Sequence, residues 1–117
     1  MAYLRHSYNG DTLTLIELAG DALIGRHTDC DIIIDDPTVS ARHAHLHEID
    51  GGYLIEDLLS TNGVKVEGEL VQKTFLREGN IFELGTHAFD YLAHLPTDLA
   101  KTLKIKKSWI PGLYYTQ

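Results

Sequence analysis

Short runs of alternating apolar and polar residues recur along most of the chain. In the stretch 43–49 (HAHLHEI), Ala44 and Leu46 face one way and the intervening histidines face the other. The stretch 12–18 (TLTLIEL) alternates in the same way, residues 23–26 (LIGR) and 31–34 (DIII) are brief apolar runs, and residues 53–58 (YLIEDL), 64–68 (VKVEG) and 81–95 (IFELGTHAFDYLAHL) complete the series. Because successive side chains of a β-strand point to opposite faces, the pattern predicts a series of short strands.

Turn-forming residues separate these runs. Gly51–Gly52 follows one run, and Asn62–Gly63 stands between two others. An Asn-Gly pair is typical of a tight hairpin turn, because both residues tolerate positive φ. Many short strands joined by such turns indicate an all-β fold, a two-sheet β-sandwich or a barrel, rather than a βαβ protein.

The C-terminal segment has a different pattern. Thr97 is suited to cap a short helix with Leu99 and Leu103 on one face, which Pro111–Gly112 would end. We therefore predict an all-β domain over residues 1–95, followed by a short, basic and aromatic tail over 96–117. This tail is expected to dock on the domain through Trp109 and Ile110, or on a partner through Tyr114 and Tyr115.

Charge limits the classes of ligand. The chain of 117 residues has a net charge of −7, and residues 1–95 carry sixteen acidic against six basic side chains. Such an acidic domain repels nucleic acid and anionic membranes, so we expect neither as a partner. An anion must instead be held by a few local donors.

With a single cysteine, Cys30, no internal disulfide forms, and no secretory signal or membrane span is evident, so we expect an intracellular, cytoplasmic protein.

The sequence contains one candidate catalytic pair and one candidate row of metal ligands, and neither is complete. Ser40 and His43 have the spacing of a nucleophile and its base, but no G-x-S-x-G elbow or third orienting group accompanies them. His43, His45 and His47 are expected on one side of a strand at steps of about 7 Å, yet no nearby cysteine completes a zinc motif. We expect no enzyme activity, no metal and no cofactor. The other histidines are read as surface or core residues.

Three motifs in a fixed order point to a family. They are Gly25-Arg26, then Ser40-x-x-His43, then Asp57-x-x-Ser60-Thr61-Asn62-Gly63. The series resembles the forkhead-associated (FHA) domain, a β-sandwich module that binds phosphothreonine peptides through loops at one end. The resemblance covers residues 23 to about 93. It implies a phosphothreonine-containing protein as the partner and a signalling adaptor as the role.

The resemblance assigns the ligand contacts residue by residue. Arg26 matches the arginine that grips the phosphate, and its planar fork suits a bidentate contact. Ser40 matches a hydroxyl that donates to a second phosphate oxygen. Thr61 matches a loop position near the phosphate, and Asn62 matches the residue whose amide holds the peptide backbone. The family often has a polar or basic residue where this chain has Ala41, and Arg42 is the candidate substitute.

Four further residues match positions that support the loops. Gly25 and Gly63 match structural turn positions, and His43 matches a residue that braces a loop without touching ligand. Asp57 is expected to anchor its own turn through backbone N–H groups.

A rival hypothesis is an FHA-like scaffold that binds a protein through its sheet face or its tail without phosphate. Oligomeric state, partner and kinase are left open by the sequence.

Overall fold

Twelve strands form two six-stranded sheets in the part of the chain that the computed structural model describes, residues 2–94 and the backbone of 113–115. The first sheet has the order β2-β1-β11-β10-β7-β8 and the second the order β12-β4-β3-β5-β6-β9. The first sheet contains β1 (Ala2–Tyr8), β2 (Asp11–Leu18), β7 (Val64–Val66), β8 (Glu69–Val71), β10 (Ile81–Leu84) and β11 (His87–Leu92). The second contains β3 (Ala22–Gly25), β4 (Ile32–Ile34), β5 (Ala44–Ile49), β6 (Gly52–Asp57), β9 (Lys73–Phe75) and β12 (Leu113–Tyr115).

The inward-facing residues of both sheets form one apolar core. Leu4 and Phe89 from the first sheet and Ile24 and Leu46 from the second are fully buried in the same cluster. The predicted all-β sandwich is confirmed. No helix among the described residues is long and apolar enough to cross a membrane.

Two Asn-Gly pairs behave differently. Asn9–Gly10 has positive φ at both residues and forms the hairpin between β1 and β2. At Asn62–Gly63 only the glycine has positive φ, and the strands on either side belong to different sheets. The expected hairpin at this second pair is therefore wrong, because residues 58–63 carry the chain from one sheet to the other.

The tail contributes one strand within the described residues. The backbone of β12 pairs antiparallel with β4, with Leu113 opposite Ile34 and Tyr115 opposite Ile32. The predicted helix that begins near Thr97, and the predicted contacts of Trp109 and Ile110, lie outside the described residues. The division into a domain over 1–95 and a docking tail over 96–117 stays a prediction.

Candidate functional site

Three loops meet at one end of the sandwich, residues 26–31, 35–43 and 58–63. The first two are joined by backbone hydrogen bonds, because the Arg26 N–H donates to the Ser40 carbonyl at 2.9 Å and the His27 N–H donates to the Ala41 carbonyl at 3.0 Å. The backbone therefore places Arg26 directly beside Ser40. These are the two residues predicted to hold the phosphate.

Gly25 permits this close approach. A Cβ built on Gly25 would lie 2.3 Å from the Ala41 carbonyl oxygen and 3.0 Å from the Arg42 Cα. Both neighbours are backbone atoms and cannot move aside as a flexible side chain would. Glycine is needed here for space, since its φ is not in the left-handed region.

The Ser40 hydroxyl joins the second loop to the third. Its Oγ accepts a hydrogen bond from the Thr61 backbone N–H at 3.0 Å. A hydroxyl can accept and donate at the same time, so this contact leaves the Ser40 proton available for another acceptor. Ser40 is partly buried and Thr61 is exposed, which places the pair at the surface of the loop cluster.

His43 lies beneath the loops and contacts two of them. Its Nδ1 accepts from the Ser40 backbone N–H at 3.0 Å, and its Nε2 lies 2.7 Å from the Gly63 carbonyl oxygen. A carbonyl only accepts, so Nε2 carries the proton and the ring is the neutral Nε2–H tautomer. The expectation that His43 shares an exposed strand face with His45 is wrong. His43 precedes β5 and is fully buried, whereas His45 is partly exposed.

Asn62 connects the same loops from the outer side. Its Nδ2 donates to the Thr38 carbonyl at 2.8 Å, and its side chain is exposed. The Asn62 Oδ1 makes no hydrogen bond to another described residue, so an acceptor and a second amide proton remain available at the surface. The hydrogen bonds thus bring Arg26, Ser40, Thr61 and Asn62 into one continuous cluster.

Asp57 organises the turn that carries Thr61 and Asn62. Its Oδ1 accepts from the Ser60 backbone N–H at 3.2 Å, and the Ser60 Oγ in turn accepts from the Gly63 N–H at 2.9 Å. Gly63 has φ of 78° and a Cβ there would meet the Leu70 side chain at 2.7 Å. The left-handed conformation is what favours glycine here, since Leu70 is exposed and the end of its flexible side chain can move aside. Arg42, the remaining predicted ligand contact, is not part of this turn.

The two arginines of the site differ in their partners. Arg26 is exposed, and its side chain forms no ion pair or hydrogen bond with another described residue. Arg42 is bonded to Asp29, which lowers the pKa of the Asp29 carboxyl and raises the pKa of the guanidinium. Among the described residues Arg26 therefore has no ion-pair partner, whereas Arg42 is paired with Asp29.

Sequence reasoning missed the contact of Thr38 with Asn62 and the support that Asp36 gives to Thr38. Asp36 Oδ1 accepts from the Thr38 backbone N–H at 2.8 Å, and the Thr38 carbonyl accepts from Asn62. Burial opposes ionisation of Asp36, but the bonds from Thr38 outweigh it and lower the pKa of the carboxyl. The local signal was present, because Asp followed two residues later by Thr across Pro37 is a common turn pattern.

A buried histidine pair extends from this turn into the core. The His87 Nε2 lies 3.2 Å from the Asp36 Oδ2, and the His87 Nδ1 lies 2.7 Å from the His6 Nε2. The carboxylate accepts from His87 Nε2–H, and His87 Nδ1 and His6 Nε2 share a second hydrogen bond in which one ring nitrogen donates to the other. The His6 Nδ1 is buried without a hydrogen-bond partner among the described residues. Burial, and then the nearby His87, lower the pKa of His6 to about 3.

Comparison with known families and proteins agrees with this architecture. Residues 22–85 match the family model described as FHA domain. The glycogen accumulation regulator GarA of Mycolicibacterium smegmatis is 36% identical over 74 residues, which are 63% of this chain and 47% of GarA. The chain therefore spans about half the length of this curated relative.

Solved structures of FHA domains share the fold. One, from a study of phosphothreonine-dependent FHA domain interactions, superposes with a TM-score of 0.71 at 29% identity, covering 81% of this chain and 98% of that one. Mycobacterium tuberculosis EmbR, solved in complex with a low-affinity phosphopeptide, gives a TM-score of 0.72 at 32% identity. That match covers 82% of this chain and 25% of EmbR.

Proposed function

Because this chain belongs to the FHA-domain family, we propose that it binds phosphothreonine in a peptide segment of a partner protein, as an adaptor without catalysis of its own. The observation that carries the proposal is the state of Arg26. Its guanidinium is exposed and unpaired among the described residues, and its backbone is bonded to that of Ser40. An unpaired arginine beside a hydroxyl suits a phosphate dianion.

Each of the remaining loop residues has a distinct proposed role. The Arg26 guanidinium forms a bidentate contact with two phosphate oxygens, and the Ser40 hydroxyl donates its free proton to the phosphate. Thr61 lies beside the phosphate, held by its N–H bond to Ser40. The Asn62 Oδ1 and its second amide proton hold the peptide backbone. Arg42 adds a contact only after it releases Asp29.

The contacts of His43 support a binding role over hydrolysis. A catalytic base would have to take the proton of the Ser40 Oγ, but His43 Nδ1 accepts from the Ser40 backbone N–H. The other ring nitrogen faces the Gly63 carbonyl. Neither nitrogen is therefore placed to activate the hydroxyl as a nucleophile. The proposed role of His43 is to hold the Ser40 and Gly63 loops at a fixed separation.

Selection from a peptide library followed by titration tests the proposal. A library of peptides with one fixed phosphothreonine is presented to the chain, and the best-bound sequence is resynthesised with phosphothreonine, phosphoserine or plain threonine. Isothermal titration should show that loss of the phosphate weakens binding by about two orders of magnitude or more, given roughly 1.5–3 kcal/mol for each charge-assisted hydrogen bond. Phosphoserine should bind more weakly than phosphothreonine.

The same titration separates the proposal from its rival. Equal affinity for the phosphorylated and plain threonine peptides would contradict phosphate recognition. Binding to a partner that survives phosphatase treatment would favour a phosphate-independent scaffold that uses the sheet face or the tail. Of the described tail residues, Leu113–Tyr115 have their backbone paired with β4, so that segment is engaged with the domain itself.

A further inference from the structure

A second cluster of polar side chains lies on the outer face of the second sheet, away from the loops. It contains Asp21, which directly precedes β3, and His45 and His47 from β5. We propose that these three residues bind a transition-metal dication of the zinc class. The set differs from the histidine row considered on sequence grounds, because His43 is buried and bonded to the loops, whereas Asp21 supplies the third ligand from the segment that leads into β3.

The distances among the ligand atoms approach those of a coordination shell. The Asp21 Oδ2 lies 3.3 Å from the His45 Nε2 and 3.9 Å from the His47 Nδ1. One ligand atom from each residue can be chosen so that all lie within 4.8 Å of one another. Ligands at 2.0–2.1 Å from a tetrahedral zinc are about 3.3–3.4 Å apart, so small side-chain rotations close the shell. Water takes the fourth position.

Neighbouring groups already orient the ligands. The His47 Nε2 lies 2.8 Å from the Glu56 Oε1 and donates to it, which leaves the lone pair on Nδ1 facing Asp21. Metal-binding histidines commonly donate their other N–H to a carboxylate in this way. The Asp21 Oδ1 accepts from the Glu48 backbone N–H at 2.8 Å.

Rigidity and charge also favour a cation. The rings of His45 and His47 stack with centroids 3.8 Å apart and planes 11° apart, and both residues lie on a paired strand. The strand therefore holds both rings on one face, from which small rotations direct their lone pairs at one ion. Asp21 and Glu56 together supply two negative charges. They are opposed by one positive charge on Lys73 of β9, which lies opposite Glu56 of β6 in the strand register. Two nitrogen ligands select zinc-like ions over magnesium or calcium, which prefer oxygen.

This cluster is separate from the proposed phosphopeptide site. Asp21 precedes the first residue of β3 and Arg26 follows its last. Five residues of strand span roughly 17 Å, so the two sites lie at opposite ends of the same strand. Loss of the metal ligands should therefore leave phosphopeptide affinity unchanged, and the two proposals can fail independently.

Titration of the full chain with zinc chloride, in a buffer without phosphate or chelator, tests the site. Isothermal titration should show one Zn²⁺ bound per chain, and magnesium chloride should give no binding. Single variants His45→Gln, His47→Gln and Asp21→Asn should each lower zinc affinity at least ~10-fold, and Glu56→Gln should weaken it by a similar factor through His47. The matched control is His27→Gln, since His27 is an exposed histidine that contacts a carboxylate, Asp29, outside the cluster.

Two controls make the outcome decisive. Amide NMR spectra establish that each variant is folded, and zinc added to the isotope-labelled chain should perturb the imidazole signals of His45 and His47 but not those of His27. Wild-type affinity in His47→Gln would overturn the proposal. So would the absence of stoichiometric zinc binding, or an equal loss of affinity in His27→Gln.

Discussion

The hydroxyl oxygen of Ser40 accepts a hydrogen bond from the backbone N–H of Thr61, with the two atoms 3.0 Å apart. One side chain therefore links the loop 35–43 to the loop 58–63. Because that bond uses an acceptor site of the hydroxyl, the Ser40 proton is left to donate outward. Loop geometry and the proposed ligand contact thus depend on the same oxygen.

Replacement of Ser40 by alanine tests this double role. Ser40→Ala should weaken binding of a phosphothreonine peptide by roughly 10- to 100-fold, because one charge-assisted hydrogen bond is lost and the Thr61 N–H loses its partner. Isothermal titration measures the change, and Ser7→Ala in β1 serves as the control. Wild-type affinity in Ser40→Ala would remove Ser40 from the site.

A methyl group at Gly25 should push two loops apart. Because a Cβ there would lie 2.3 Å from the Ala41 carbonyl oxygen, Gly25→Ala should lower the free energy of unfolding by about 1–3 kcal/mol and weaken phosphopeptide binding. Gly52→Ala is the matched control, since its Cβ would lie 3.8 Å from the nearest backbone oxygen. Urea denaturation measures both variants. Equal stability of the two would contradict the close-approach argument.

Stability should fall on acidification because His6 is buried in its neutral form. Its pKa is lowered to about 3 from an ordinary 6.5, so the unfolded chain binds the proton more readily between these values. The contribution is complete above about pH 6.5 and should decline by up to about 3 kcal/mol by about pH 4.

The variant His6→Gln should flatten this pH dependence. Glutamine offers His87 an amide that can donate or accept a hydrogen bond but does not titrate, so the slope of unfolding free energy between pH 6.5 and 4 should become shallower. The slope, rather than the absolute stability, is the diagnostic quantity, and His27→Gln is the exposed control. An unchanged slope in His6→Gln would show that another group, such as Asp36, controls acid stability.

Acidic residues beside the phosphothreonine should weaken binding. Asp35 is exposed in the loop that carries Ser40, and Asp29 and Asp31 lie in the loop after Arg26. These carboxylates repel acidic flanking residues and tolerate basic ones. A phosphopeptide array measures the preference at low and high salt. Strongest binding by peptides with acidic flanks would contradict this electrostatic argument.

The sequence was sufficient for the fold and for the order of the motifs. Alternation predicted β5 and β6 well, since their apolar side chains face the core. The short strands β8 and β9 were missed, because their three residues are mostly exposed and carry no clear alternation. The turn at Asn62–Gly63 was misjudged, because the choice between a hairpin and a crossing depends on which sheet receives β7.

The loop positions of the proposed site residues were predictable from the sequence, and their contacts with one another were not. Family motifs placed Arg26 and Ser40 in loops, but nothing local indicates that Arg42 pairs with Asp29, thirteen residues away. The Thr38 contact with Asn62 likewise joins residues distant in sequence. Long-range pairings of this kind are decided by how the loops pack, which a local pattern does not encode.

The central claim is that the Arg26 guanidinium contacts the phosphate itself. A double-mutant cycle tests it most directly, with wild type and Arg26→Ala each titrated with a phosphothreonine peptide and its unphosphorylated twin. Arg26→Ala should weaken binding of the phosphorylated peptide by about 2–5 kcal/mol and leave binding of the twin unchanged, whereas the control Arg77→Ala should change neither. An equal loss for both peptides, giving no coupling between Arg26 and the phosphate, would contradict the account.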